Sequence, residues 1–290
     1  MKRRDFLAGV AAVGVTAAAR AQTPAPIVRK GRIKQAAMRF AFAGSSLSFD
    51  DMCREAAQVG CKGFDLVGPQ DWPTLKKYGL ICTMAPAMGV TIRDGLIRPE
   101  LHDAIEKSMR DEIDLCAANG YPNIITVGGE RRGIGSEEGK DHAVELLNRL
   151  KKPAEDKGIT ICIEVVNSKY TDPNFGRADA IFDHLAWGAD VCKRVSSPRV
   201  KILFDIYHVQ IMEGDVCANI KAYFPWIAHF HTAGVPGRRE IDDTQELNYR
   251  FVAQTIADLG FTGYVAHEYR TSPGHDPVDT LRRMVDIMDV

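Results

Sequence analysis

The chain has 290 residues, of which 37 are Lys or Arg and 38 are Asp or Glu, so its formal net charge at pH 7 is −1. Hydrophobic residues make up 45% and charged residues 26% of the chain, as in an ordinary globular protein. The basic residues are scattered, which excludes the basic surface that binding to a nucleic-acid backbone requires. These values predict one large domain, or two ordinary ones, with a small-molecule ligand.

The first 21 residues have the pattern of an export signal. Arg3-Arg4 and Phe6-Leu7 precede an apolar run over residues 8–19, and Ala19-Arg20-Ala21 is a small-x-small cleavage site. The paired arginines resemble the twin-arginine type, which carries folded proteins out of the bacterial cytoplasm. We therefore expect recognition by the twin-arginine export machinery, cleavage after Ala21, and a periplasmic protein without stable membrane insertion. An uncleaved anchor or a disordered tail is the alternative.

After this signal, residues 22–34 are predicted to form a loose lead-in, and residues 35–290 a single catalytic domain. Short apolar, β-branched runs alternate there with longer amphipathic stretches, which is typical of strand–helix units on a parallel sheet. The predicted strands are 36–42, 63–67, 81–85, 123–127, 160–164, 201–205, 227–232 and 264–267. The predicted helices are 50–59, 72–78, 99–118, 137–157, 178–195, 216–223, 245–259 and 277–288.

Eight strands that alternate with eight helices predict an α/β fold of the (β/α)₈ TIM-barrel type. The alternative is an open, doubly wound parallel sheet, which usually carries a glycine-rich phosphate loop after its first strand. No Gly-x-Gly-x-x-Gly motif follows any predicted strand, so nucleotide binding loses its main support in the sequence. The barrel is therefore preferred.

The seven cysteines are spread singly, without a Cys-x-x-Cys pair. An odd, unclustered set argues against a disulfide framework or a structural zinc site. We expect free thiols, and a disulfide formed after export is left open.

Potential metal ligands stand at the ends of the last four predicted strands: Glu164, Asp205, His231 and Glu268. Active-site residues of a TIM barrel lie at the carboxyl ends of its strands, so these four side chains can converge. Three carboxylates and one imidazole suit a divalent ion such as Mg²⁺, Mn²⁺ or Co²⁺. The first half of the barrel offers only polar residues that look isolated: Asp65, Glu130 and Arg131-Arg132.

Each of these four residues also has a structural interpretation. Glu164 and Asp205 could cap helices or form ion pairs that hold loops. His231 could be a buried histidine with satisfied hydrogen bonds, and Glu268 could pair with the arginine two positions later. His229 points the same way as His231 but deeper into the barrel, which favours a supporting role over a ligand role. The joint pattern on four consecutive strands favours a metal site.

The second half of the chain resembles the hydroxypyruvate isomerase family. The resemblance is carried by Phe204-Asp205-Ile206-Tyr207-His208, by the stretch from His229 to Gly234 with Pro236-Gly237-Arg238, and by His267-Glu268-Tyr269. That family belongs to the xylose isomerase-like barrels, with the ketose 3-epimerases as close relatives. The resemblance extends over the mature chain and is densest from Glu164 to Glu268.

The resemblance implies roles for individual residues. It implies that Glu164, Asp205, His231 and Glu268 bind the metal, and that the two glutamates are also the acid/base pair. It places His208 in the loop after Asp205, in contact with substrate oxygens. It implies that Arg238 holds a substrate carboxylate or hydroxyl, for which a guanidinium is well shaped.

The resemblance implies a metal-dependent isomerase or epimerase of a small sugar or hydroxy-ketoacid that acts through an enediolate. Hydroxypyruvate isomerases generally have glutamine where this chain has His231, whereas the epimerases have histidine. A non-catalytic periplasmic sugar-binding barrel and a dehydratase or lyase with the same enediolate site are the alternatives. A DNA-repair endonuclease of the same barrel class would need a histidine-rich multi-metal site and a basic groove, and the sequence indicates neither. The sequence leaves the oligomeric state open, and a homo-oligomer is one of the possibilities.

Overall fold

The computed structural model describes residues 27–87, 89–169 and 179–290. The predicted export signal, its cleavage site and the first part of the lead-in lie outside the described residues. The described residues form an eight-stranded parallel sheet. Its strands are β1 (Lys34–Ala37), β2 (Gly63–Asp65), β3 (Ile81–Met84), β4 (Asn123–Val127), β5 (Thr160–Glu164), β6 (Val200–Asp205), β7 (Ile227–Thr232) and β8 (Tyr264–His267).

The helices of the described ranges surround this sheet, and helices that follow one another pack together, as α3 does with α4 and α8 with α9. They are α1 (Phe49–Gln58), α2 (Trp72–Lys77), α3 (His102–Asn119), α4 (Ser136–Lys157), α5 (Leu185–Val195), α6 (Ile206–Met212), α7 (Val216–Tyr223), α8 (Tyr249–Asp258) and α9 (Pro277–Met288). None of the helices described is long and apolar enough to cross a membrane.

The sheet closes into a barrel. Its strands follow the order β3-β2-β1-β8-β7-β6-β5-β4, in which β1 pairs with β8. A parallel bridge between Ala85 and Ile124 joins the two remaining edges beyond β3 and β4. There Ala85 N donates to Asn123 O at 2.8 Å, and Ile125 N donates to Ala85 O at 3.0 Å. The predicted (β/α)₈ barrel is confirmed.

Side chains on the two faces of the strands fall into separate clusters. Those that face the helices join one large apolar cluster, which includes Phe204, Phe230 and Val265. Those that face the barrel interior form small clusters made of Met84, Cys162 and Leu203, and of Ala36, Met38 and Ala266. Because side chains alternate along a strand, the residue two positions beyond each inward one also points inward. This alternation carries Glu164, Asp205 and Glu268 to the end of the barrel where the strands finish, which we call the mouth.

Several predicted elements differ from the observed ones. The helix predicted for 178–195 begins at Leu185, and the helix predicted for 245–259 begins at Tyr249. The first strand ends at Ala37 instead of continuing to residue 42, because Arg39–Phe42 forms a 3-10 helix. The helix α6 directly after Asp205 was not predicted, since seven residues are too short to show a helical period. The remaining strands end within two residues of their predicted positions.

The described part of the lead-in is held more firmly than predicted. Arg29 Nε donates to Val59 O at 2.8 Å, and the Arg29 guanidinium pairs with Asp286 of α9. The expectation of free thiols agrees with the structure, in which the seven cysteines are unpaired.

The loop between β3 and α3 packs closely against the end of β4. Gly95 in the loop and Gly129 after β4 permit this close approach. Leu96 N donates to Val127 O at 3.0 Å. A Cβ on Gly95 would lie 2.1 Å from Val127 O, and one on Gly129 would lie 2.8 Å from Gly95 N. Gly129 also has a φ of +99°, a conformation that favours glycine. This close approach holds the loop beside the barrel mouth.

Candidate metal centre

Glu164, Asp205, His231 and Glu268 meet at the barrel mouth. Each offers one ligand atom, and these atoms all lie within 4.8 Å of one another. The four residues are between 0% and 7% exposed. Asp205 and His231 are register partners on β6 and β7, so their side chains stand at the same level. We call these residues the four-donor cluster.

Asp205 has a structural role as well as a place in the cluster. Its Oδ1 accepts hydrogen bonds from Tyr207 N at 2.8 Å and His208 N at 3.4 Å, so it is the N-cap of α6. Its Oδ2 faces the cluster and lies 3.0 Å from Arg238 Nη2. The capping interpretation and the metal-site interpretation of this residue are therefore compatible, because each uses a different oxygen.

His231 joins the cluster through one ring nitrogen. Its Nδ1 lies 2.7 Å from Glu268 Oε2 and 3.6 Å from Glu164 Oε1. Both Nδ1 and Glu268 Oε2 are buried, and neither has a well-oriented hydrogen-bond partner. These buried atoms are held by close ion-pair contacts and not by well-oriented hydrogen bonds, which is compatible with a site where a cation binds.

Arg238 supplies positive charge to the cluster. Its Nη2 lies 2.7 Å from Glu268 Oε2, and its side chain is only 15% exposed. The guanidinium lies over the ring of Tyr207, with Cζ 5.3 Å from the ring centre. The backbone φ of Arg238 is +56°, in the turn that contains the cis peptide bond between Val235 and Pro236. Arg238 is therefore not an ordinary solvated arginine of the surface.

Burial and mutual charge shift the ionisation of the cluster. Burial raises the pKa of Asp205 to about 7, although the charge of Arg238 opposes this. Burial also disfavours ionised Glu268, but Arg238 and His231 outweigh it and hold the pKa of that carboxyl below its usual range. Burial disfavours charged His231, but Glu268 outweighs it and raises the pKa of the imidazole. The cluster is a tightly coupled set of opposite charges.

His208 lies elsewhere than predicted. The residue is in the first turn of α6, not in a loop, and is 1% exposed. Its Nε2 lies 3.4 Å from Asp205 Oδ2, and its Nδ1 forms a hydrogen bond of 2.6 Å with the Asn167 side chain. The Asp205 N-cap starts this helix directly after β6, which turns His208 toward the cluster. His208 therefore lies beside the candidate ligands.

Asp65, which looked isolated in the sequence, contacts His231 of the cluster from inside the barrel. Its Oδ2 lies 2.6 Å from His229 Nε2 and 3.0 Å from His231 Nε2, and its Oδ1 accepts a hydrogen bond from Thr83 Oγ1. Burial disfavours its ionised form, but the two histidines outweigh this and lower the pKa of Asp65 below its usual range. The sequence signal for it was an aspartate inside the apolar run predicted as strand 63–67, where a carboxylate is costly to bury without a partner.

A cavity of about 320 Å³ opens beside the cluster, and both Glu164 and Glu268 line it. The other lining residues are mostly apolar, and several come from the loop held by Gly95 and Gly129. The apolar lining side chains include Phe40, Leu66, Pro86, Ile92, Ile125 and Val127. A small molecule in this cavity can therefore contact both glutamates.

The residues present fit a divalent metal ion. Three carboxylates and one imidazole are donors for a hard or borderline ion, and burial on four strand ends keeps them in place. The residues that would hold the ion are Glu164, Asp205, His231 through Nδ1, and Glu268.

A second group, Asp65 with His229 and His231, also has convergent donors. Its separations of 2.6 and 3.0 Å are those of N–H···O hydrogen bonds, so imidazole protons fill that space.

The fold and the cluster define a (β/α)₈ barrel with a candidate metal centre at its mouth. Residues 53–289 match the family described as the xylose isomerase-like TIM barrel, and the chain belongs to that family. The crystal structure of 3-keto-D-glucoside 4-epimerase from E. coli has a TM-score of 0.73 at 18% identity, covering 88% of this chain and 98% of the other. This likeness shows a shared fold.

Two relatives are more similar in sequence. A Xenopus laevis protein whose name refers to hydroxypyruvate isomerase is 33% identical over 157 residues, which are 54% of each chain. The 2-oxo-tetronate isomerase of Cupriavidus necator is 37% identical over 132 residues, which are 45% of this chain and 48% of the relative. The chain spans about half the length of these curated relatives.

Proposed function

We propose that this protein is a metal-dependent isomerase or epimerase of a small sugar or hydroxy-ketoacid. One observation carries the proposal: Glu164 and Glu268 belong to the four-donor cluster and also line the same cavity. Two carboxylates beside one small substrate can remove a proton and return one. The names of the two sequence relatives support an isomerase, and the name of the structural relative supports an epimerase.

In this reaction one glutamate accepts the proton from the carbon beside the substrate carbonyl, which leaves an enediolate. The other glutamate returns a proton, either to the neighbouring carbon or to the opposite face of the same carbon. In the first outcome the hydroxyl proton also passes to the former carbonyl oxygen, which completes an isomerisation. The second outcome is epimerisation. A divalent ion held by the cluster would polarise the carbonyl and stabilise negative charge on oxygen.

His208 and Arg238 are proposed to bind the substrate. Both already contact Asp205 Oδ2, at 3.4 Å and 3.0 Å, so their donors lie next to the cluster. A guanidinium matches a substrate carboxylate or a pair of oxygens. A histidine in the ligand set, where hydroxypyruvate isomerases generally have glutamine, favours a site that resembles the epimerases.

The test is proton exchange into candidate substrates. The purified protein, loaded with Mg²⁺, is incubated in D₂O with small ketoses and hydroxy-ketoacids, and the products are followed by NMR. Deuterium at one carbon together with an isomer or an epimer supports the proposal. Loss of water or of a fragment identifies a dehydratase or a lyase, and binding without exchange identifies a sugar-binding barrel.

We also propose that the protein is exported by the twin-arginine route to the periplasm. The support is the paired arginines, the apolar run and the Ala-x-Ala site of the first 21 residues. Replacing Arg3 and Arg4 with lysines in the full chain is expected to leave the protein in the cytoplasm of a bacterial host. Equal recovery of wild type and variant in the periplasmic fraction would contradict this route.

A further inference from the structure

We infer that Asp65 is a positioning residue that orients His231 so that its Nδ1 faces the three carboxylates of the four-donor cluster. This inference rests on the proposed metal-dependent function. Asp65 is 1% exposed and His231 is 0% exposed, so water has no access to their contact. His231 Nε2 lies 3.0 Å from Asp65 Oδ2 while Nδ1 lies 2.7 Å from Glu268 Oε2. The two ring nitrogens therefore face two different sets of groups.

The chemistry of Asp65 decides which nitrogen keeps its proton. An ionised carboxylate accepts hydrogen bonds and cannot donate them, so a nitrogen facing it must carry the hydrogen. Nε2–H of His231 is thereby held on Asp65. Nδ1 lies 2.7 Å from Glu268 Oε2 and carries a hydrogen in the metal-free protein for the same reason, and this second hydrogen is the one that a bound cation would displace. A hydrogen bond from the other ring nitrogen to a carboxylate is the usual way in which a metal-binding histidine is oriented.

Asp65 is itself held from several sides. Thr83 on β3 donates to Oδ1, and His229 Nε2 lies 2.6 Å from Oδ2. The His229 and His231 rings meet edge to face, with centres 5.4 Å apart and planes at 85°. The contact crosses the barrel interior, because β2 and β7 are separated by β1 and β8 in the sheet. Rotation of the His231 ring is therefore blocked on the side away from the cluster.

The variant Asp65→Asn tests this role with a side chain of the same shape. Thr83 donates to the carboxamide oxygen, so the amide NH₂ faces His231 and requires Nε2 to accept. The imidazole then keeps its proton on Nδ1, which blocks metal binding by that nitrogen. We expect affinity for Mn²⁺, measured by isothermal titration calorimetry with the metal alone, to fall by about 10–100-fold. The control is Thr83→Val, which perturbs the other carboxylate oxygen and leaves the contacts of Oδ2 in place. This variant is expected to bind Mn²⁺ nearly as tightly as wild type.

The tautomer of His231 is the readout that a purely structural or charge effect would not change. Side-chain ¹⁵N NMR of the Mg²⁺-loaded wild type is expected to show Nε2 protonated and Nδ1 without a proton, and this measurement needs no variant to fold. A protonated Nδ1 in the loaded wild type would overturn the inference. Equal Mn²⁺ affinity of wild type and a folded Asp65→Asn would also overturn it while leaving the proposed function intact. A wild type that binds no divalent ion would overturn both.

Discussion

Arg238 and Asp205 form an ion pair in which Nη2 lies 3.0 Å from Oδ2, the carboxylate oxygen that faces the four-donor cluster. The same Nη2 lies 2.7 Å from Glu268 Oε2. One guanidinium therefore balances two of the three carboxylates that a divalent ion would bind. A metal ion held by the cluster would offer positive charge to the same two carboxylates.

Replacing Arg238 with methionine should destabilise the metal-free protein by about 1–3 kcal/mol, since two buried carboxylates lose their counter-charge. Saturating Mn²⁺ should raise the melting temperature of Arg238→Met more than that of wild type, because the ion replaces the missing charge. Differential scanning calorimetry with EDTA and with Mn²⁺ measures both effects. The control is Arg282→Met, which removes an exposed partner of Asp279. If Arg238→Met lost the same stability with and without Mn²⁺, the idea that Mn²⁺ and the Arg238 guanidinium neutralise the same carboxylates would be wrong.

Removing the charge of Glu164 or of Glu268 should strongly slow proton transfer. Glu164→Gln and Glu268→Gln are expected to lower kcat by about 10²–10⁴-fold, the range of a lost general acid or base. Deuterium exchange into substrate should fall with kcat, and the fold should persist by circular dichroism. Glu145→Gln on α4, an exposed position that pairs with Arg149, is the control and should keep full activity. Full activity in both cluster variants would rule out the proposed mechanism.

The glycine contact beside the cavity gives a prediction about stability. Gly129→Ala places a Cβ 2.8 Å from Gly95 N at a φ of +99°, whereas Gly133→Ala has a similar φ of +89° with no atom within 4 Å. The left-handed conformation should cost about 1–2 kcal/mol in both variants. The steric clash should cost a further ~1–3 kcal/mol in Gly129→Ala alone. Urea unfolding measures the difference, and equal losses in the two variants would show that the close approach is unimportant.

Glu240 gives a pH dependence away from the cluster. Its Oε1 and Oε2 accept hydrogen bonds of 2.7 Å from Ser272 N and Ser272 Oγ. Burial opposes ionisation, but these hydrogen bonds outweigh it and lower the pKa of Glu240. A lowered folded-state pKa stabilises the protein above the unfolded pKa of about 4.3, and the gain is lost as pH falls through the folded value. Glu240→Gln should therefore cost about 1–2 kcal/mol at pH 7 and less at pH 3, by urea unfolding. If the difference in the free energy of unfolding between wild type and Glu240→Gln grew toward low pH, the predicted direction of this pH dependence would be wrong.

Much of the fold follows from local patterns. The bounds of β4, β5, β7 and β8 were predicted to the residue, since apolar β-branched runs with clear flanking turns define them. The first strand was extended too far, because the apolar residues of Arg39–Phe42 look like a strand in sequence. Their 3-10 conformation is accompanied by an ion pair of Arg39 with Asp71 and by the stacking of Arg39 on Phe49. A period count over four residues cannot distinguish these alternatives.

The sequence by itself determined that four potential ligands end four consecutive strands, because side-chain alternation and strand order are local properties of a parallel barrel. Only the tertiary structure decided which nitrogen of His231 faces those ligands and which cation balances them. Asp65 and His231 are 166 residues apart, and Arg238 reaches Asp205 across 33 residues. Such contacts cross the barrel or its mouth, and local sequence periodicity does not predict them. The closure of the barrel therefore turns scattered acids, histidines and one arginine into a single charged site.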